Sequence, residues 1–220
     1  MPRPLRLLMI FAACTLVCGV AALAFVVSTG RVPRGTAQLP EQAMANLSIP
    51  AFTATDQDNK PVDRTLLLGN VTIVGFVFTN CPLACPNMTF QMSKQQQALK
   101  DTPVRLLSLS LDPANDTPAV LKAYGEQYGA DFSRWTLATA PPGVTRKILG
   151  EDLKMHVAED AGMQLTTKAG QQMNNIQHPP HLFLIGPDAR VLGLYNANHG
   201  EDMVRLTSDA RQAAQRRAGR

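Results

Sequence analysis

Two cysteines four positions apart, Cys81 and Cys85, are the residues of this 220-residue chain best suited to chemistry. They follow an apolar run from Val71 to Phe78, whose β-branched and aromatic residues are typical of a buried strand. Pro86 comes next, and proline suits the first position of a helix. We therefore expect both thiols between the carboxyl end of a central strand and a helix start. Ligand sites form at such strand ends, and the helix start favours thiolate over thiol.

Such a pair admits two kinds of chemistry. A two-residue spacer is the usual redox motif, and with the three-residue spacer present here both sulfurs can still form a disulfide. Alternatively, both thiolates can bind one soft metal ion. They favour copper(I), and a neighbouring imidazole would let the site accept copper(II) as well. A purely structural disulfide is disfavoured, because so short a loop adds little stability when it is closed.

Four histidines could supply that imidazole. His178 lies just before the apolar strand Leu182 to Ile185, and in a thioredoxin-like fold the loop before that strand faces the cysteine loop. His178 is therefore the candidate ligand. His181 starts the strand and is expected to point to the other face, whereas His156 and His199 are expected to be surface residues.

The elements that must position these groups alternate between strands and helices, which predicts an α/β fold with a mixed, thioredoxin-like sheet flanked by helices. Thr117 can cap a helix that begins at Pro118. Residues 162–175 are predicted to be a mobile loop or a long hairpin. The other predicted elements are a strand at 104–111, a short strand near 137, helices at 86–99, 144–153 and 201–217, and a hairpin of strands 182–185 and 191–195.

The first 30 residues are predicted to be an N-terminal transmembrane anchor or an uncleaved signal. Leu7 to Gly30 holds no charged residue and is long enough to cross the ~30 Å hydrocarbon core. Cys14 and Cys18 fall inside this segment and are read as small apolar residues of a membrane helix, with lipidation of Cys14 as an alternative. Residues 31–47 are predicted to be a linker, 48–210 the thioredoxin-like domain and 211–220 a basic tail.

The charge of the chain excludes one class of partner. The formal net charge is +4, and much of the excess comes from arginines around the apolar segment and in the tail. The domain between them is close to neutral. With one Trp, three Tyr and no interleaving of basic and aromatic residues, the sequence does not predict nucleic-acid binding.

Three separated motifs, in matching order and spacing, and the opening strand resemble the Sco/SenC family over about residues 48–210. The stretch Thr79 to Pro86 looks like the family's copper motif, and Phe52 to Asp56 resembles its opening strand. The remaining matches are the stretch Ser110 to Pro118 and the late His178 followed by Phe183 to Asp188.

This resemblance implies an anchored copper chaperone of cytochrome c oxidase assembly. Its copper site, for Cu(I) or Cu(II), would consist of Cys81, Cys85 and His178, and would deliver copper to the dinuclear copper site of oxidase subunit II or to another copper protein. Other periplasmic copper chaperones are possible partners. The implied location is the bacterial inner membrane with the domain in the periplasm, because no mitochondrial transit peptide is visible.

A second function stays open at this point. As a thiol-disulfide reductase, Cys81 would attack a partner disulfide and Cys85 would resolve it. A thiol peroxidase is a weaker third interpretation, based on a loose likeness around Thr79. The chain also departs from the family: Gln177 replaces the usual Asp, and Pro180 falls where thioredoxins place a cis-proline. A cis bond there would favour thiol exchange over copper storage.

Two further groups are interpreted as structural. Met88 and Met92, on one face of the helix after the cysteines, are expected to pack in the core rather than to act as extra soft ligands. Asp112 is expected to cap the turn after the second strand, with a role towards the cysteine loop or a partner as the alternative.

Overall fold

A mixed β-sheet forms the centre of the structure, a computed structural model that describes residue 44 and residues 46–218. The strands are β1 Thr53–Asp56, β2 Pro61–Asp63, β3 Thr72–Val77, β4 Arg105–Ser110, β5 Trp135–Thr139, β6 Ala158–Thr166, β7 Gln172–Gln177, β8 His181–Ile185 and β9 Val191–Asn196. Seven of them form one sheet in the order β2-β1-β5-β4-β3-β8-β9, while β6 and β7 form a separate antiparallel hairpin.

The helices connect and cover these strands. Thr117 caps α2 by accepting the backbone N–H of Val120 at 3.4 Å, as the sequence predicts. A 3-10 turn precedes β3 at Arg64–Leu66, and a π-helical turn at Ile148–Asp152 continues α3. The helices are α1 Ala84–Ala98, α2 Pro118–Gln127, α3 Val144–Lys147 and α4 Gly200–Ala218.

The central strand β3 runs parallel to β4 and antiparallel to β8, and every one of its residues is buried. Both faces are covered, which explains its uninterrupted apolar sequence. Because side chains alternate along a strand, Ile73 belongs to a core under α1, α2 and α4, whereas Val74 and Phe76 belong to a core under α3 and the hairpin.

The fold predicted from sequence is therefore confirmed, with corrections at individual elements. The prediction that α1 begins at Pro86 is wrong, because α1 begins at Ala84 and places Cys85 in its first turn. Pro86 is the third residue of α1 and is tolerated there, since the first four N–H groups of a helix have no partner within the helix. Residues 162–175 lie in the β6–β7 hairpin, and the helix predicted at 144–153 is split into an α-helical and a π-helical part.

The predicted anchor, residues 1–30, and most of the predicted linker lie outside the described residues. Among the described residues, no helix has both the length and the apolar character needed to cross a membrane. At the other end, α4 continues to Ala218, so most of the predicted basic tail is helical. The described residues all lie within one compact unit, residues 39–220.

A candidate thiol and metal site

The two cysteines lie where β3 ends and α1 begins. The N–H of Cys81 donates to the carbonyl oxygen of Phe78 at 3.2 Å, which closes a tight turn after the strand. Cys85 follows in the first turn of α1. Both are free thiols; Cys81 is 9% exposed, and Cys85 is fully buried at 0%. One thiol is thus on a loop near the surface, and the other is on a helix in the core.

The two thiols have opposite electrostatic environments. The pKa of Cys81 is lowered to about 6, mainly because it accepts a hydrogen bond from the Cys85 thiol and additionally from the N–H groups at the start of α1. The same contact with Cys81, together with burial, raises the pKa of Cys85. At neutral pH the pair therefore holds one proton, with Cys81 as the thiolate and Cys85 as the hydrogen-bond donor.

His178 comes from the end of the hairpin and reaches the same thiol. Its Nε2 atom lies 3.5 Å from the Cys85 sulfur, and its Nδ1 atom lies 3.3 Å from the carbonyl oxygen of Pro179. The ring also packs edge-on against Phe78, with centroids 6.2 Å apart. Burial lowers the pKa of His178, which favours the neutral imidazole. With Nδ1–H donating to Pro179, the lone pair of Nε2 faces the sulfur.

The three predicted ligands are thus adjacent, with Cys85 in the middle. Two sulfurs and one imidazole nitrogen are a donor set that fits copper in either oxidation state. Cys81 and His178 line a cleft of about 420 Å³. Within the part of the chain that the structure describes, however, no three His, Cys, Asp or Glu side chains are close enough together to hold a metal ion. Binding by all three requires Cys81 and His178 to close around Cys85.

The other histidines lie elsewhere. His181 begins β8, and burial lowers its pKa, while the neighbouring Asp202 raises it and His199 lowers it. Its Nδ1 atom is buried without a hydrogen-bond partner. His199 is exposed as predicted. His156 is also exposed, but it lines the cleft beside Cys81 and His178, which its position in the sequence did not indicate.

A buried carboxylate that the sequence analysis did not single out supports the cysteine loop. Asp116 is 0% exposed and accepts three hydrogen bonds: from the Thr79 N–H at 3.2 Å, from the Thr79 hydroxyl at 2.6 Å and from the Ser110 hydroxyl at 2.5 Å. It thereby joins the end of β3 to the end of β4. Burial raises the pKa of this carboxyl, although its hydrogen bonds act in the opposite direction.

Asp112, which the sequence suggested as a turn cap, does bond within its own turn. One of its carboxylate oxygens accepts the side-chain N–H of Asn115 at 2.8 Å. Met88 and Met92 are fully buried in the core under α1, as predicted.

The two departures from the family pattern have plain structural outcomes. The side-chain amide of Gln177 donates to Asp160 across the hairpin at 2.7 Å. Pro180 is not preceded by a cis bond, since there is no cis peptide among the described residues. The condition under which Pro180 would have favoured thiol exchange is therefore not met.

The hairpin also contacts the cysteine loop at its tip. The side-chain oxygen of Asn80 accepts the backbone N–H of Lys168 at 3.0 Å. The hairpin therefore contacts the site at two points. Its tip binds Asn80, which is next to Cys81, and its base leads into His178, which contacts Cys85.

This arrangement defines a thioredoxin-like protein with a paired-cysteine and histidine site at the carboxyl end of its central strand. The SCO1/SenC family model matches residues 40–214. The chain therefore belongs to the SCO1/SenC family, as its motifs suggested.

Curated relatives agree with this assignment. The "SCO1 protein homolog" of Bacillus subtilis is 33% identical over 172 residues, which cover 77% of this chain and 84% of the relative. A "putative copper-binding protein" of Stutzerimonas stutzeri is 29% identical over 150 residues, which cover 66% of this chain and 68% of the relative.

Solved structures share the fold. A SCO1/SenC family lipoprotein from Bacillus anthracis superposes with a TM-score of 0.65 at 28% identity, covering 77% of this chain and 96% of that one. BsSco, described as a member of the Sco family of cytochrome c oxidase assembly proteins with a disulfide switch, gives 0.63 at 30% identity, covering 77% and 95%.

Proposed function

We propose that this chain carries copper on Cys81, Cys85 and His178 and transfers it to another copper protein. The observation that supports this best is the contact between the Cys85 sulfur and the His178 ring, which brings a thiol and an imidazole from distant parts of the chain to 3.5 Å. A neutral imidazole with a free lone pair and a nearby thiolate are the forms that bind metal. The name of the Stutzerimonas relative supports copper as the cargo.

The electrostatics of the pair suit reversible binding. Because Cys81 is largely ionised at neutral pH, copper can bind its sulfur without displacing a proton. Binding of copper to the second sulfur costs more free energy, since the Cys85 thiol has a raised pKa and must lose its proton first. Copper binding therefore releases about one proton per chain near neutral pH, and the cost of that proton aids release.

The receiving protein is proposed to be subunit II of cytochrome c oxidase, at its dinuclear copper site. Membership of BsSco in a family of oxidase assembly proteins supports this choice. We further propose that residues 1–30 hold the domain at the bacterial inner membrane, on the periplasmic side. Carbonate extraction of membranes tests the tether, because release of the full chain into the soluble fraction would contradict it.

Thiol-disulfide exchange is the second candidate, and the unequal pKa values of the two thiols favour it. The Cys81 thiolate would attack a partner disulfide and expel one partner thiolate, leaving a mixed disulfide. Cys85, after losing its proton, would attack the Cys81 sulfur and release the second partner thiolate. The partner is reduced by two electrons, and the chain is left with a Cys81–Cys85 disulfide.

Copper titration of the reduced full chain separates the two functions. A chaperone should bind one copper per chain and lose that binding when Cys81 and Cys85 are both replaced by Ser. The matched control is the parent chain after mild oxidation, which keeps every side chain but links the sulfurs. Reversible disulfide formation without stoichiometric copper binding would instead favour the reductase.

A further inference from the structure

The end of the sheet opposite the cysteines carries a concentration of positive charge. Residues 46–218 hold as many Asp and Glu as Lys and Arg, sixteen of each, so the domain as a whole is neutral. Its charge is nevertheless unevenly distributed. We define the basic pole as Lys100, Arg105, Arg190, Arg211, Arg216 and Arg217.

Backbone and side-chain contacts place these residues at one end. Arg105 is the first residue of β4 and pairs with Thr72, the first residue of β3. Arg217 contacts Asn70 just before β3, with its NH1 atom 3.4 Å from the side-chain oxygen. Arg190 lies in the turn that follows β8, whose last residue, Ile185, also pairs with Thr72.

The other three residues of the basic pole are placed by the ends of α1 and α4. Arg211 forms an ion pair with Asp101 at 2.7 Å, at the point where α1 ends, and Lys100 is its neighbour in sequence. Arg216 lies in the last turn of α4 beside Arg217. Since β3 spans six residues at about 3.3 Å each, the basic pole lies ~20 Å or more from the cysteine loop.

Few carboxylates offset these charges. At this end of the sheet lie Asp101, paired with Arg211, Asp188, paired with Arg190, and Asp131 before β5. The six cations of the basic pole outnumber these three anions, and Arg134, which donates to the carbonyl oxygens of Leu99 and Val104, adds a further positive charge at this end of a domain that is neutral overall. The excess is therefore a property of the fold, not of composition.

A second feature at the same end points to the kind of partner. Leu68, in the loop before β3, is 43% exposed, and the adjacent Gly69 lies close to the Arg217 guanidinium. An exposed leucine beside the Arg217 guanidinium suits the boundary of a bilayer, where headgroups meet acyl chains. The chain also enters the domain here, because the N–H of Val191 donates to the Leu47 carbonyl oxygen at 2.9 Å.

We propose that the basic pole rests on an anionic membrane surface and thereby directs the cysteine site away from the bilayer. The partner is the headgroup layer of acidic phospholipid. The first described residues of the domain, such as Leu47, lie at this end, so a tether that preceded them would be attached near the pole. The proposal is independent of copper binding.

The test is hydrogen exchange on the full chain with vesicles of phosphatidylcholine, alone or mixed with phosphatidylglycerol. Residues 68–70, 99–105 and 187–190 should exchange more slowly only with the anionic lipid, and high salt should remove the difference. Each basic residue near such a surface strengthens attachment about fivefold. The double variant Arg105→Glu and Arg217→Glu should therefore weaken it at least about 25-fold.

The matched control reverses two charges at the other end, Lys147→Glu and Lys154→Glu, and should retain the lipid-dependent protection. Equal protection in both lipids would overturn the proposal, as would equal losses in the two double variants. Protection by a short DNA duplex but not by anionic vesicles would assign the pole to another polyanion and would also overturn it.

Discussion

His178 and His181 are three residues apart, yet they lie in two different regions of the molecule. Burial lowers the pKa of both rings. His178 faces the buried thiol of Cys85, whereas His181 begins β8 and has Asp202 and His199 as its charged neighbours. The comparison shows that burial alone does not create a site. A second reactive group brought from elsewhere in the chain does, and the loop between β7 and β8 brings His178 to it.

The largest effect is expected from His178→Ala, which removes the imidazole and leaves two thiols. Loss of a group that merely orients a ligand costs ~10–100-fold in metal affinity, so loss of a ligand should weaken copper(II) binding by ~100-fold or more. Copper(I) should be affected less, because two thiolates suffice for it. Titration of the reduced chain with copper(I) and, separately, with copper(II) measures the two affinities.

That result would be contradicted by copper(II) affinity equal to that of the parent. His178→Met is a useful companion variant, since it keeps bulk in the cleft and supplies a softer donor. It should retain copper(I) binding better than copper(II) binding.

The next largest effect is on stability, at the support of the cysteine loop. Asp116→Asn keeps the shape of the side chain but places an N–H₂ group against the donors of Thr79 and Ser110. A buried donor left without an acceptor costs about 1–3 kcal/mol, so the free energy of unfolding should fall by that amount. Denaturant unfolding followed by the fluorescence of Trp135 measures it.

Asp209→Asn is the control for this variant, because Asp209 also accepts a hydroxyl hydrogen bond, from Tyr195 at 2.7 Å, but is itself exposed. A loss of stability no larger than that of Asp209→Asn would show that Asp116 does not support the loop as described.

A third prediction concerns the pH dependence of Cys81, the thiol nearer the surface. Since the pKa of Cys81 is lowered to about 6, its alkylation should be nearly constant above that pH and should fall tenfold for each unit below it. Cys85→Ala removes the main cause of the shift, so the same fall should begin at a higher pH. Mass spectrometry of alkylated peptides resolves the two sites. An unchanged profile in Cys85→Ala would mean that the two thiols do not share a proton.

The smallest effect is expected from His181→Ala. Copper affinity should stay within about twofold of the parent, because the charged neighbours of this ring are Asp202 and His199 rather than the two cysteines. Loss of copper binding in His181→Ala, with binding preserved in His178→Ala, would reverse the assignment of the two histidines.

Much of the site was predictable from sequence, for local reasons. An apolar run followed by two cysteines and prolines specifies a strand, a loop and a helix within twenty residues. The strand that follows His178 is likewise recognised from neighbouring residues alone. Their meeting was predictable only through the fold, because Cys85 and His178 are 93 residues apart. The start of α1 was misplaced, because proline is tolerated throughout the first turn of a helix.

Asp116 was missed for a different reason. Nothing about an aspartate next to a turn shows that it will be buried, and its main partner, Thr79, is 37 residues away. The position of His156 beside the cleft depends in the same way on how the end of α3 is set against the hairpin. Such features follow from packing between elements, which the periodicity of a single chain does not contain.

In the proposed transfer of copper, the placement of one thiol on a loop and the other in a helix would set the order in which the ligands exchange. Cys81 is the sulfur nearer the surface, and only a tight turn holds it, whereas Cys85 is fixed by a fifteen-residue helix and is in contact with His178. An incoming thiolate would therefore reach a bound copper from the side of Cys81 and would displace that ligand first. Cys85 and His178 would hold the ion longest and would shield it from water.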